Sequence, residues 1–98
     1  MLLFEWNQGK AKKNAKIHEV SFEEASTAFK DSSSLTIYDP LHSDEEDRFI
    51  LIGTSIKNRL LVVVHTERSD KIRIISARKA TTKERKHYEE NAKRSGNA

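Results

Sequence analysis

The sequence predicts one α+β domain, residues 1–98, in which two N-terminal helices and a basic C-terminal helix accompany an antiparallel β-meander. Apolar residues recur at helical spacing before Ser34 and alternate with a period of two between Leu35 and Lys79. A chain of 98 residues has material for a single hydrophobic core. The short connections between the predicted strands favour antiparallel pairing.

The N-terminal third contains two helix start signals. Phe4 and Trp6 flank Glu5, a pattern that suits either a short strand or an aromatic anchor, and Asn7 can cap the lysine-rich helix that follows. Ser21 and Glu24 have the spacing of a capping box, which predicts a second helix that ends near Asp31.

Four strands and a last helix are predicted after residue 34. The strands are Leu35–Tyr38, Arg48–Ser55, Arg59–Arg68 and Lys71–Lys79. The natural hairpin turns are Lys57-Asn58 and Ser69-Asp70. Thr81 and Glu84 repeat the capping-box spacing and predict a final basic helix that ends near Arg94.

The last hairpin predicts two sheet faces. A two-residue turn at Ser69-Asp70 would pair Arg68 with Lys71 and, without interruption, Leu61 with Arg78. One face would then carry Leu61, Val63, His65, Glu67, Ile72, Ile74, Ser76 and Arg78. The other would carry Leu60, Val62, Val64, Thr66, Arg68, Lys71, Arg73, Ile75, Ala77 and Lys79. Because both centres are apolar, we expect both strands to lie inside the sheet.

Composition and charge narrow the functional classes. The chain has no cysteine, which excludes a disulfide framework and thiolate metal sites. Its apolar runs are far shorter than the roughly 20 residues that cross a bilayer, and its first residues lack the basic segment of a signal peptide. We therefore expect a cytoplasmic protein that does not associate with a membrane. After Asp70 there are nine basic and three acidic residues, which indicates a surface that binds a polyanion, and RNA is the partner we expect.

Several motifs together resemble the BrnT family of bacterial toxins over nearly the whole chain. They are FEW at residues 4–6, VSFEEA at 20–25, DRFILIG at 47–53, RLLVVVHTER at 59–68 and IRIISARKAT at 72–81. The resemblance implies a RelE-like fold, ribonuclease activity without a metal or cofactor, and neutralisation by BrnA. BrnA is a DNA-binding antitoxin of ribbon-helix-helix type that represses the shared operon, so operator DNA would be contacted only through it. Glu19, Asn58 and Ser69 stand where the family has glycines.

RNA cleavage without metal requires a base near the 2′-hydroxyl, cations for the charge that builds on phosphorus, and a proton source for the leaving oxygen. Arg73 and Arg78 are the predicted cationic catalytic residues, and His65 and Glu67 the predicted proton-transfer pair. The alternative for each arginine is a structural ion pair, and for His65 a half-buried strand residue. Glu67 and Arg78 would lie about 20 Å apart along the strands, so these residues cannot all touch one phosphate.

Further binding residues follow from charge. The predicted RNA-binding residues are Lys10, Arg48, Arg68, Lys71, Lys79 and Lys83. The predicted antitoxin-binding residues are Tyr88, on the final helix, and the acidic strip Asp44, Glu45, Glu46 and Asp47. His18, His42 and His87 show no metal-ligand spacing, so no metal site is predicted. Two functions stay open: a ribonuclease toxin, and a noncatalytic subunit that binds a partner or nucleic acid through the same surface, as a decayed toxin would.

Overall fold

The computed structural model describes residues 2–94 and confirms the α+β prediction. The strands are β1 (Leu3–Glu5), β2 (Leu35–Asp39), β3 (Arg48–Thr54), β4 (Leu60–Arg68) and β5 (Lys71–Lys79). The helices are α1 (Gln8–His18), α2 (Phe22–Thr27, extended by a 3-10 turn at Ala28–Lys30) and α3 (Thr82–Arg94). Within residues 2–94, no helix has the length and apolar character needed to span a membrane.

The five strands form one sheet in the order β1-β5-β4-β3-β2. β2 to β5 are the predicted antiparallel meander, and the predicted Arg68–Lys71 pair is present at its last turn. β1 is the short strand that was one of the two interpretations of the FEW segment. It forms an edge of the sheet and pairs in parallel with β5. This edge pairing places Glu5 beside Arg73, although the two residues are 68 positions apart in the sequence.

Helices α1 and α2 cover one face of the sheet, which we call the helix face. Its core joins Val20, Phe22 and Ala25 to an apolar set on β4 and β5 consisting of Leu61, Val63, Ile74 and Ala77. Asn7 and Ser21 cap α1 and α2 through side-chain bonds to the backbone N–H groups of Lys10 and Glu24, both 3.0 Å.

One of the two predicted capping boxes is complete. At α3, the Thr81 N–H donates to Glu84 Oε1 (2.8 Å) and the Glu84 N–H donates to Thr81 Oγ1 (3.2 Å). At α2, the reciprocal half of the predicted box does not form, because the Glu24 carboxylate accepts from the Arg59 guanidinium and the Ser55 hydroxyl instead. A charged donor makes the stronger bond.

The predicted register of the last hairpin is wrong beyond its midpoint. His65 pairs with Ile74 but Val64 pairs with Ser76, so Ile75 is an extra residue, a β-bulge. The bulge reverses the alternation of β5, and Arg78 lies opposite Val62 instead of Leu61. Ser76 and Arg78 therefore leave the helix face, and Ala77 and Lys79 join it. The physical reason is burial, since the small apolar Ala77 fits the core and an arginine does not.

Asn14 of α1 fixes the bulged strand. Its side chain accepts from the Ala77 N–H (3.1 Å) and donates to the carbonyls of Ala77 (2.8 Å) and Val20 (3.0 Å). β1 ends opposite Arg73, and the buried amide of Asn14 replaces the missing strand partner further along β5.

Tight connections occur where the BrnT resemblance places glycines. Within residues 2–94, the non-glycine residues with positive φ are Glu19 (57°), Asn58 (62°) and Ser69 (54°). Glycine adopts this conformation without steric cost, whereas other residues are strained in it. These three tight connections therefore form with residues that suit them less well than glycine.

Candidate functional site

A row of polar side chains crosses all five strands on the sheet face opposite α1 and α2. The strand register places Asp39 beside Arg48, Arg48 beside Thr66, Thr66 beside Arg73, and Arg73 beside Glu5. Paired residues on neighbouring strands project to the same side. We call this side the arginine face, defined by Arg48, Thr66 and Arg73. The order across it is acid, arginine, threonine, arginine, acid.

The turn end of the arginine face has an excess of cations. Arg68 and Lys71 are paired at the turn, next to the row. Arg68 binds both carboxylate oxygens of Glu46, at 2.6 and 2.9 Å, and these bonds raise the pKa of Arg68. Glu5 Oε2 lies 3.7 Å from Arg73 Nη1 and 3.9 Å from Arg68 Nη1.

Arg48 and Arg73 are the arginines of this face with the fewest constraints. Among residues 2–94, Arg48 has no ion pair. Arg73 has only the loose contact with Glu5 and keeps 31% of its side chain exposed. Arginine forms paired hydrogen bonds with phosphate oxygens, so these two side chains can bind a phosphate between them.

Arg78 lies at the opposite end of the arginine face. Because of the bulge it shares this face with Arg73, but their partners on β4, Val62 and Thr66, are four positions apart, which corresponds to about 13 Å along a strand. Its guanidinium binds both oxygens of Glu84, at 2.8 Å each. The hydrogen bonds from Arg78, more than any other contact, lower the pKa of Glu84 to about 2. Arg73 and Arg78 therefore cannot both bind the same phosphate group.

His65 and Glu67, the predicted proton-transfer pair, lie on the helix face and not with the arginines. His65 is 1% exposed, and its ring packs against Phe29 and Phe49 at centroid distances of 4.9 and 5.8 Å. Burial lowers its pKa, so the imidazole is neutral near pH 7. Glu67 Oε2 is 3.9 Å from His65 Nε2 and is exposed to solvent. The structure thus separates the four predicted catalytic residues into three locations.

Glu5 is the carboxylate that the sequence analysis missed. It extends to the arginine face because Phe4 and Trp6, on either side of it, pack into the core of the helix face. The alternation of FEW was the available signal. The missing information was the parallel pairing of β1 with β5, which brings Glu5 to Arg73.

The predicted RNA-binding residues fall into two groups. Arg48, Arg68 and Lys71 lie on the arginine face. Lys10 is exposed on α1, Lys79 is exposed on the helix-face side of β5, and Lys83 is exposed on α3. The second group lies around the rim of the fold and does not belong to the row.

Tyr88, a predicted antitoxin-binding residue, contacts the sheet and α2 side of the fold through its hydroxyl and its ring. Its hydroxyl donates to Asp31 Oδ2 (2.5 Å) and lies 3.3 Å from Thr54 Oγ1. Its ring packs on the apolar end of the arginine face, against Ile52, Leu60 and Val62. Burial first, and the Asp31 bond second, raise the pKa of Tyr88. No residue of α3 is fully buried, so Tyr88 and the Arg78–Glu84 pair attach this helix to the sheet.

The acidic strip is only partly free for a partner. Glu46 binds Arg68, and Asp47 accepts a hydrogen bond from the Tyr38 hydroxyl at 3.1 Å. Asp44 and Glu45 are exposed and line a pocket of about 330 Å³ that also includes Arg48. Within residues 2–94, no group of three His, Asp or Glu side chains is arranged to hold a metal ion.

Comparisons with known proteins relate this chain to one family. The family model for the ribonuclease toxin BrnT of type II toxin-antitoxin systems matches residues 6–84. The crystal structure of the Brucella abortus ribonuclease toxin BrnT is similar, with a TM-score of 0.61 and 18% identity. That match covers 84% of this chain and all of the Brucella chain. A search of curated proteins found no match.

The Arg78–Glu84 pair predicts a pH-dependent contribution to stability. The pKa of Glu84 is about 2 in the folded protein, below its ordinary value of 4.5, so its stabilisation is complete above pH 4.5 and is lost as the pH falls toward 2. We expect Glu84→Gln to lower the free energy of unfolding by about 1 kcal/mol at pH 7. Thermal melting at a series of pH values should show that the difference in unfolding free energy between the variant and the unmodified protein shrinks as the pH falls. Gln retains an acceptor for the Thr81 N–H, and Glu89→Gln, an exposed acid of the same helix, is the control. A deficit that is constant from pH 7 to pH 2.5 would contradict the assignment.

Proposed function

The chain belongs to the BrnT family of ribonuclease toxins of type II toxin-antitoxin systems, and from this premise we propose that it is a metal-independent endoribonuclease that cleaves RNA on the arginine face and so arrests translation and growth. The single observation that supports the location is the row that has Thr66 between two arginines and a carboxylate at each end. The helix face cannot serve, because α1, α2 and the apolar core fill it.

The proposed reaction is attack of a ribose 2′-oxygen on the adjacent phosphorus with loss of the 5′-oxygen of the next nucleotide. Arg48 and Arg73 bind the nonbridging oxygens and stabilise the negative charge that builds on them. Glu5 accepts the proton of the 2′-hydroxyl, since its carboxylate lies beside Arg73 on the same face. The Lys71 ammonium donates a proton to the leaving 5′-oxygen and Arg68 offsets the charge beside it, so the products are a 2′,3′-cyclic phosphate and a 5′-hydroxyl end.

The other predicted catalytic residues receive different roles. The buried, neutral His65 and its neighbour Glu67 lie on the opposite side of the sheet from the proposed phosphate site. Glu5 is therefore the proposed acceptor of the 2′-hydroxyl proton. Arg78 lies about 13 Å from Arg73 along the sheet and would bind a second phosphate of the same RNA after Glu84 releases it.

Arg73 provides the test of catalysis. We expect Arg73→Gln to reduce RNA cleavage by about 10²-fold or more in buffer containing EDTA, because a transition-state donor is lost. The thermal midpoint should change little, since the nearest carboxylate is 3.7 Å away and the side chain is partly exposed. Lys57→Gln, an exposed cation in the β3–β4 turn, is the control for net charge.

Two results would refute this account of catalysis. If EDTA abolishes cleavage by the unmodified protein and Mg²⁺ restores it, the reaction depends on metal. If Arg73→Gln unfolds the protein while any folded fraction keeps full specific activity, Arg73 is structural. A folded protein that binds RNA but never cleaves it would instead identify the noncatalytic subunit.

A type II toxin family implies an antitoxin partner. We propose that the partner is a BrnA-like protein of ribbon-helix-helix type, which forms a hetero-oligomer with this chain and contacts operator DNA. Because Tyr88 is committed to internal packing, the exposed acids Asp44 and Glu45, beside Arg48, are the better anchor for a basic segment of the antitoxin. An interface there would obstruct the arginine face. It should bury more than about 1,000 Å².

Coexpression with the adjacent small gene tests this partner. We expect one complex in size-exclusion chromatography, hydrogen-exchange protection in β3 to β5, and weaker association after charge reversal at Asp44→Lys with Glu45→Lys. Glu90→Lys, an exposed acid at the far end of α3, is the control and should associate normally. Separate elution at micromolar concentration, or protection confined to α1 and α2, would refute the proposed partner surface.

A further inference from the structure

Thr66 has a hydroxyl group that the fold does not use. The residue is 1% exposed, and within residues 2–94 no group forms a hydrogen bond with its Oγ1 atom. Among the described residues, His65 Nδ1 on the helix face is the other buried polar side-chain atom without a partner, whereas Asn14 makes three hydrogen bonds and Ser55 donates to Glu24 at 2.7 Å. Leaving a buried hydroxyl unpaired is unfavourable. A valine would have the same shape without that cost.

The position of Thr66 indicates what the hydroxyl is for. Thr66 is on β4, the central strand of the sheet, at the middle of the row and directly between Arg48 and Arg73. Cross-strand neighbours have Cβ atoms about 5 Å apart, so both guanidinium groups can reach over the threonine. The hydroxyl thus belongs to a buried residue that lies between two cationic residues.

We propose that Thr66 is a substrate contact whose hydroxyl donates a hydrogen bond to a nonbridging oxygen of the RNA phosphate held between Arg48 and Arg73. The inference rests on the proposed function and adds a residue to its site. When the two arginines turn toward the phosphate, the hydroxyl beneath them gains the partner that it lacks in the free protein.

The chemistry favours a phosphate over a carboxylate as the bound anion. Two guanidinium groups approach from the sides and one hydroxyl approaches from below, so the three donors do not share a plane. A tetrahedral phosphate offers oxygens in these three directions, whereas a planar carboxylate does not. The β-branched side chain of Thr66 also has few rotamers, so the hydroxyl is held in position before the substrate arrives.

The test compares Thr66→Val and Thr66→Ser with the unmodified protein. Loss of a hydrogen bond to a charged group corresponds to about 10- to 100-fold, so we expect that reduction in kcat/KM for RNA and in affinity for an uncleavable 2′-O-methyl oligoribonucleotide in Thr66→Val. Thr66→Ser should recover most of both. The thermal midpoint of Thr66→Val should equal or exceed that of the unmodified protein, because an unpaired buried hydroxyl has been removed. Thr36→Val, an exposed threonine of β2, is the matched control.

Each outcome decides the proposal. Unchanged binding and cleavage in Thr66→Val would overturn it, and so would an unfolded or strongly destabilised Thr66→Val, since the hydroxyl would then serve the fold. Binding of the 2′-O-methyl oligoribonucleotide is measured separately from cleavage. If the unmodified protein binds this probe through Thr66 but cleaves no RNA, the proposed catalysis fails while the phosphate contact stands.

Discussion

The β-bulge at Ile75 is the constraint on which the rest of the structure depends. By adding one residue to β5, it allows Ala77 to enter the core of the helix face while Arg73 and Arg78 both lie on the arginine face. Asn14 stabilises this arrangement, because its buried amide satisfies the N–H and carbonyl groups of Ala77. An uninterrupted strand would place Arg78 on the buried face, where an unpaired charge is strongly unfavourable.

One face of the sheet stabilises the fold, and the other carries the proposed binding site. The helix face is packed with apolar side chains, whereas the arginine face keeps Arg48, Arg68 and Arg73 close together despite their mutual repulsion. Carboxylates at the perimeter compensate in part, with Glu46 on Arg68 and Glu5 near Arg73. The centre is left with two weakly paired arginines and the unpaired hydroxyl of Thr66. Local features that do not favour folding are typical of functional sites.

The sequence was sufficient to predict the elements and insufficient to predict their final arrangement on the two faces. Helix caps at Asn7 and Ser21 depend on short-range chemistry, and the Ser69-Asp70 turn fixes the first pairs of its hairpin. The bulge depends on competition between Ala77 and its neighbours for the core, which no local rule decides. Its one visible signal was the adjacent pair Ile74-Ile75, which breaks the alternation of β5. The sites of Glu5, His65 and Tyr88 follow from long-range packing, and so they required the structure.

The most direct test of the central claim is to find which face of the sheet RNA touches. Photo-crosslinking of an uncleavable RNA that contains 4-thiouridine, followed by mass spectrometry of the peptides, reports contact without depending on activity. The account predicts crosslinks within β3, β4 and β5 at or beside Arg48, Thr66 and Arg73. Crosslinks concentrated on α1 and α2, with none on these strands, would contradict it.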